Sequence, residues 1–192
     1  MIARESPEVW RSAVVALSSW QPAQRDPTDR ARQAQLREEY LAFLENHPEG
    51  VWRTCRDGHI TASAIVVNDS GDRTLLTLHP LVGRWLQLGG HCEPADASLW
   101  AAARREAVEE SGIAGVRLSS TPLRLDRHEV RCAGSTTWHL DVQYLARVPD
   151  EAQAAISVES NDLRWWSLTH PPADVDASVA ALMRDAADVL AG

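Results

Sequence analysis

The chain has 192 residues and a formal net charge of −8, with 44% hydrophobic and 24% charged residues. That length suits one well-buried core with an appendage better than two full domains, and the composition is that of a globular protein rather than a fibrous or disordered one. The acidic balance, with no Lys/Arg-rich run to offset it, argues against a nucleic-acid polymer as partner and leaves room for a small anionic substrate only if a divalent cation screens the site.

No stretch approaches the roughly 18 apolar residues of a membrane helix, and the opening MIARESPEVW lacks the basic-then-apolar order of a signal peptide. No membrane contact and a cytoplasmic location are therefore expected. Cys55, Cys92 and Cys132 are too few and too scattered for a disulfide framework, which fits the same compartment.

In chain order, residues 1 to about 50 read as a helical extension. Leu36, Tyr40, Phe43 and Leu44 recur at helical spacing, and Pro48 with Gly50 ends the run. The main domain is expected over 51–192. It opens with two β-rich runs, ITASAIVV and RTLLTLH, joined as a hairpin by the turn-forming NDSGD. A Gly- and Pro-containing loop, WLQLGGHCEPADAS, leads to a helix over about 99–111, with Ser98 as N-cap and Gly112 just past its end.

Two alternating strands follow. Leu123 and Leu125 line one face of the first, and Trp138, Leu140, Val142 and Tyr144 one face of the second. Arg124, Asp126, His128, His139, Asp141 and Gln143 then share a polar face that meets either substrate or solvent. DLRWWSL is a further strand, and Val175, Val179, Leu182, Ala186 and Val189 mark a closing amphipathic helix. Intermixed strands and helices predict an α/β or α+β class with a mixed sheet.

The chemistry concentrates on the helix after the glycine loop. Glu106, Glu109 and Glu110 stand at i, i+3 and i+4, on one helical face. Like charges that close repel by up to about half a kcal/mol per pair even when exposed, so a cation is expected among them. Carboxylate oxygens suit Mg²⁺ or Mn²⁺. Arg105, four residues before Glu109, can hold that carboxylate by a charge-assisted hydrogen bond, and Gly89 and Gly90 allow close backbone approach to a ligand or metal.

Residues 89–113, GGHCEPADASLWAAARREAVEESGI, resemble the Nudix box: Gly, five residues, Glu, seven residues, Arg-Glu, an aliphatic residue, any residue, Glu-Glu, any residue, Gly, aliphatic. Arg105-Glu106, Glu109-Glu110, Gly112 and Ile113 match in order and spacing, with Ala107 in the aliphatic slot. Asp96 stands where the pattern has its first Glu, and one residue is inserted between it and Arg105. The order of elements over 60 to about 190 also follows that family, while the first 50 residues fall outside it.

The resemblance implies an α/β/α sandwich around a mixed sheet and a hydrolase cleaving the diphosphate bond of a small nucleotide-like substrate. It implies Mg²⁺ or Mn²⁺ bound by Glu106, Glu109 and Glu110 with the Gly90 backbone, and Arg105, Glu106 and Glu109 as the catalytic group. The first acid of the box is expected mainly to support the loop. The general base is expected to be Glu106, failing that Glu151 or Glu159, and last Glu93. His91, His139 and Asp141 are the expected substrate contacts, and a homodimer is left open.

Two other readings share the scaffold. An enzyme like isopentenyl-diphosphate isomerase would need a catalytic Cys and a His-rich metal site, for which Cys92 and His59 are available. A nucleotide-binding sensor would not cut at all. The intact REAVEE run favours the hydrolase over both. Cys55/His59 and His128/Cys132 each show a three-residue gap but not the tighter, repeated spacing of zinc sites, so no metal is expected there.

Overall fold

The computed structural model describes residues 7–132, 135–157 and 160–192. The N-terminal segment forms two helices, α1 (Glu8–Ser19) and α2 (Pro27–Asn46), rather than one run. Trp20 turns extended ahead of Gln21-Pro22, where a proline disfavours helix in the residue before it. The Asp26 side chain then restarts the chain by accepting from Asp29 N at 2.8 Å, with Pro27 in the first turn.

Eight strands and two further helices follow: β1 (His59–Asn68), β2 (Arg73–Leu78), β3 (Trp85–Leu86), β4 (Leu88–His91), α3 (Leu99–Ser111), β5 (Arg117–Leu118), β6 (Arg124–Cys132), β7 (Ser135–Val148), β8 (Asp162–Ser167) and α4 (Ala177–Ala191). The expected β1–β2 hairpin is present, with Val66 opposite Leu75. β1 lies parallel to β7 and antiparallel to both β2 and β4, so the sheet is mixed and β1 is its centre. β1 is buried on both faces along its whole length.

Those two faces carry different layers. Ile60, Ala62, Ala64 and Val66 pack against Leu99, Ala102, Ala103 and Ala107 of α3. Ile65 and Val67, of the opposite parity, pack against Val179, Leu182, Met183 and Ala186 of α4. The arrangement is a helix–sheet–helix sandwich. Two of the residues expected to face inward from the closing helix do otherwise: Val175 precedes α4 and bridges to Trp85, and Val189 is exposed.

α1 and α2 share the α3-side core, contributing Val9, Ala13, Leu17, Leu36, Tyr40 and Leu44 to the cluster that holds Ile60, Leu99 and Val142. α2 also covers the free edge of β6, which among the described strands pairs with β7. Gln33 donates to Leu125 O at 3.0 Å and accepts from Leu125 N at 2.7 Å, and Tyr40 donates to Asp126 O at 2.6 Å. The Gln33 pair satisfies backbone groups that a bare edge would leave unpaired. Beside them Arg124, buried in β6, donates to both oxygens of Asp29 in α2 (2.7 and 2.9 Å) and to Asp185 in α4 (2.8 Å). One guanidinium therefore ties two helices to the sheet.

Candidate active site

α3 begins and ends where its local chemistry dictates. Ser98 accepts from Ala101 N at 3.0 Å, and Gly112 takes the left-handed conformation at φ 69° while donating to Val108 O. Burying the alanine stripe against β1 leaves Arg105, Glu106 and Glu109 on the flank that faces the glycine loop.

Arg105 organises this flank. Its Nε and Nη2 donate to the two oxygens of Asp96 (3.1 and 3.0 Å), and Nη2 also donates to His91 O at 2.9 Å. Nη1 reaches Glu106 Oε1 at 2.9 Å and Glu109 Oε2 at 3.0 Å. All five guanidinium N–H groups are thus engaged. Burial opposes the charge, but the hydrogen bonds to Asp96, Glu106 and Glu109 outweigh it and hold Arg105 more firmly protonated than usual.

Asp96 is buried and also accepts from Glu93 N at 2.7 Å, closing the loop on itself. The extra residue of the box is absorbed because Asp96 lies in the loop before the Ser98 cap, so no helical rotation carries its side chain away. Asp96 supports the loop despite the shortened side chain.

The three glutamates differ in surroundings. Glu109 is open, with 58% of its side chain exposed, whereas the Glu106 side chain is 12% exposed. Glu110 is buried and accepts from Gly89 N at 2.9 Å. A Cβ on Gly90 would stand 2.7 Å from Glu106 Oε1, so only glycine lets that carboxylate rest on the β4 backbone. The set offers only oxygen donors beside a bare backbone, which fits a hard divalent cation such as Mg²⁺ or Mn²⁺. Among the expected general bases, Glu93 and Glu151 are exposed, and Glu159 lies outside the described residues.

The opposite face of β4 carries a second polar group. A Cβ on Gly89 would collide with Ser63 Cβ at 2.2 Å, so residue 89, and with it residue 91, faces away from Glu106. Register then does the rest: Thr61 lies opposite His91, and His59 opposite His139, itself opposite His128. His59, His91 and His139 have ring centroids 4.8 to 5.1 Å apart. Among the described residues, theirs is the one trio of potential metal-ligating side chains with ligand atoms all within 4.8 Å.

Burial, reinforced by neighbouring imidazoles, pushes His91 down to about 4 and His139 to about 3, and burial also lowers His59. These rings are neutral near pH 7. His128 goes the other way: burial would lower it, but its hydrogen bond to Asp126 at 2.7 Å raises it. His59 Nε2 and His139 Nε2 are buried without a hydrogen-bond partner, a condition that costs about 1–3 kcal/mol per group.

The polar face of β6 and β7 is enclosed at Arg124, Asp141 and Gln143, while His128 at its end is exposed. Asp141 is 3% exposed and accepts from Thr61 (2.9 Å), Ser63 (2.6 Å), Gln87 (3.1 Å) and Gln143 (3.1 Å). Its oxygens serve the sheet itself, against the expectation of substrate contact. His91 and His139 are half-buried and remain within reach of a ligand.

Cys92 does not line a cleft either. It belongs to the α3-side core, and burial, then the Asp96 charge, pushes its thiol up to about 12, which disfavours a reactive thiolate. Sequence spacing missed His59 as a partner of His91 and His139 because only the pairing of β1 with β7 and with β4 brings them together. The Cys132 side chain lies outside the described residues.

Comparison with known proteins places this geometry. The family model of the NUDIX domain matches residues 57–186. A hydrolase of the NUDIX family from Clostridium perfringens aligns at 25% identity and TM-score 0.55, covering 69% of this chain and 97% of its own. The binary complex of a C. elegans Ap4A hydrolase aligns at 21% identity and TM-score 0.55, over 69% and 98%. The NUDIX domain of Shewanella oneidensis NrtR, complexed with ADP ribose, aligns at 22% identity and TM-score 0.53, over 68% and 87%. No curated protein gives a match. With more than half its length matched, and with the Arg105-centred loop and helix set as described, the chain belongs to the NUDIX domain family.

Proposed function

We propose that the protein hydrolyses a diphosphate linkage in a small nucleotide-like substrate, with the flank of α3 against β4 as its reaction centre. The observation that carries this is the five-bond Arg105 hub, which fixes Glu106 and Glu109 while Glu110 is tied to Gly89. A surface patch of solvated acids would need no such frame.

Glu106, Glu109 and Glu110, with the Gly90 backbone, would hold Mg²⁺ or Mn²⁺, which supplies charge neutralisation on the phosphate oxygens and orients the leaving group. Glu106 would accept a proton from the attacking water, a reading supported by its nearly enclosed carboxylate beside the Gly90 backbone. Arg105 acts through its neighbours: it orients Glu106 and Glu109 and fixes the loop through Asp96 and His91 O. His91 and His139 approach the same strand from its other face and are candidate contacts for the remainder of the substrate.

The substrate class draws support from the neighbours, one an Ap4A hydrolase and one holding ADP ribose, both ligands with phosphoanhydride bonds. Elevation of the buried Cys92 thiol speaks against an isomerase that needs a reactive cysteine here. No described helix is long and apolar enough to cross a membrane.

The test is a panel of nucleoside diphosphates, triphosphates and dinucleoside polyphosphates with Mg²⁺ or Mn²⁺, comparing wild type with Glu109→Gln. Product release by wild type and its loss in the variant is expected. Equal turnover by both would remove the α3 acids from the chemistry.

A further inference from the structure

We propose that His59, His91 and His139 form a second metal site, separate from the α3 carboxylates, which takes a divalent first-row transition ion such as Zn²⁺ on three imidazole nitrogens and leaves a fourth position for water or a ligand oxygen. This goes beyond the hydrolase reading and does not depend on it.

The placement is built by the sheet. β1 contributes His59, β7 its register partner His139, and β4 contributes His91 opposite Thr61. The three side chains therefore stand on neighbouring strands on one face. Their potential ligand atoms lie within 4.8 Å of one another. Tetrahedral zinc with bonds of about 2.0–2.1 Å wants its nitrogens roughly 3.4 Å apart, so the proposal requires the rings to turn toward a common point.

The nitrogens point to the same conclusion. His59 is fully buried, and its Nδ1 lies 3.4 Å from Cys55 O. A proton on that nitrogen leaves the Nε2 lone pair free, which is how a metal-ligating histidine is commonly oriented. His59 Nε2 and His139 Nε2 are both buried and unpartnered. Three imidazoles make a set that suits Zn²⁺, Ni²⁺ or Fe²⁺ far better than Mg²⁺.

The α3 acids lie on the other side of β4, since Gly90 faces Glu106 whereas Gly89 faces Ser63. A hard-cation site and an imidazole site thus stand back to back across one strand. Three protein ligands rather than four is the pattern of sites that keep an open position, and the half-buried state of His91 and His139 gives a small oxygen ligand an approach.

The full-length chain, stripped of metal with chelator, would be titrated with Zn²⁺ by calorimetry and with Co²⁺ by visible absorption, in millimolar Mg²⁺. Wild type should bind one equivalent of Zn²⁺ that Mg²⁺ does not displace, with a Co²⁺ spectrum of low coordination number. His91→Ala and His139→Ala, chosen because neither ring is fully buried, should each weaken binding by more than about a hundredfold, beyond what loss of an outer-sphere partner causes. Glu109→Gln should bind as wild type does. X-ray absorption at the zinc edge of wild type needs no variant and should show about three nitrogen neighbours at 2.0–2.1 Å. Absence of stoichiometric Zn²⁺ binding, an oxygen-only shell, or binding lost in Glu109→Gln but kept in both histidine variants overturns the proposal. Failure of nucleotide hydrolysis would not touch it.

Discussion

The two faces of β4 solve the problem of polar groups near a core in opposite ways. On the α3 side, charges remain charged: one arginine is shared among Asp96, Glu106 and Glu109, and exposure rises from Asp96 outward to Glu109. On the other side the imidazoles of His91 and His139 are neutral, and the buried carboxylate of Asp141 is enclosed by four donors. The first arrangement keeps charge available for a ligand. The second uses polar groups to join strands, and Arg124 extends it to α2 and α4. Changes to the α3-side acids should therefore cost turnover, and changes to Asp141 or Arg124 on the second face should cost stability.

The largest effect is expected where the buried face meets the helices. Arg124→Ala leaves Asp185 without its cation and frees Asp29, which keeps some contact with water, so the loss should fall near the lower end of the range for broken buried pairs, about 3 kcal/mol. In a chain of this size that lowers the melting temperature by roughly 6–12 °C. An unshifted melt would mean that the network is no part of the fold's stability.

Next comes Glu106→Gln on the α3 side, expected to reduce kcat/KM by about a hundredfold or more while melting close to wild type. Should it instead unfold readily, the distinction between the faces fails. Asp141→Asn should do the reverse. It sets an amide N–H₂ against side chains that now donate to the carboxylate, at a cost of about 2 kcal/mol, read by thermal or urea unfolding.

The smallest effect is in acid. The Arg124 hydrogen bond holds the Asp29 carboxyl below its usual 3.8, so its stabilisation is complete above that pH and is lost as pH falls through the lower folded-state value. Asp29→Asn should flatten this part of the pH–stability curve. A curve unchanged in shape would remove Asp29 from the acid response.

What the sequence disclosed, and what it hid, divides along similar lines. α3 was legible to the residue because Ser98 and Gly112 act locally, through caps that need only their own neighbours. The role of Arg105 toward Glu109 followed from helical spacing, but its grip on Asp96 and His91 O did not, since loop geometry sets those contacts. Alternation in β6 and β7 sorted Leu125, Leu140, Val142 and Tyr144 onto the α3-side face, but Leu123 precedes β6 and packs on the α4 side instead. It carried no information about which face would be covered, and α4 with the β1 side chains closed over the one that reads as wettable. Short strands such as β3 and β4 offer too few residues for periodicity, and two glycines conceal the second of them.

The clasp of Gln33 on β6 has a consequence for anyone shortening the chain. The family-matched segment begins at residue 57, and a version cut there would retain β6, nine residues long, with nothing along its outer edge. Such an edge is a template for another copy. α2 thereby acts as an inbuilt guard against self-association, and its removal should yield aggregates or strand-paired oligomers rather than a smaller soluble enzyme.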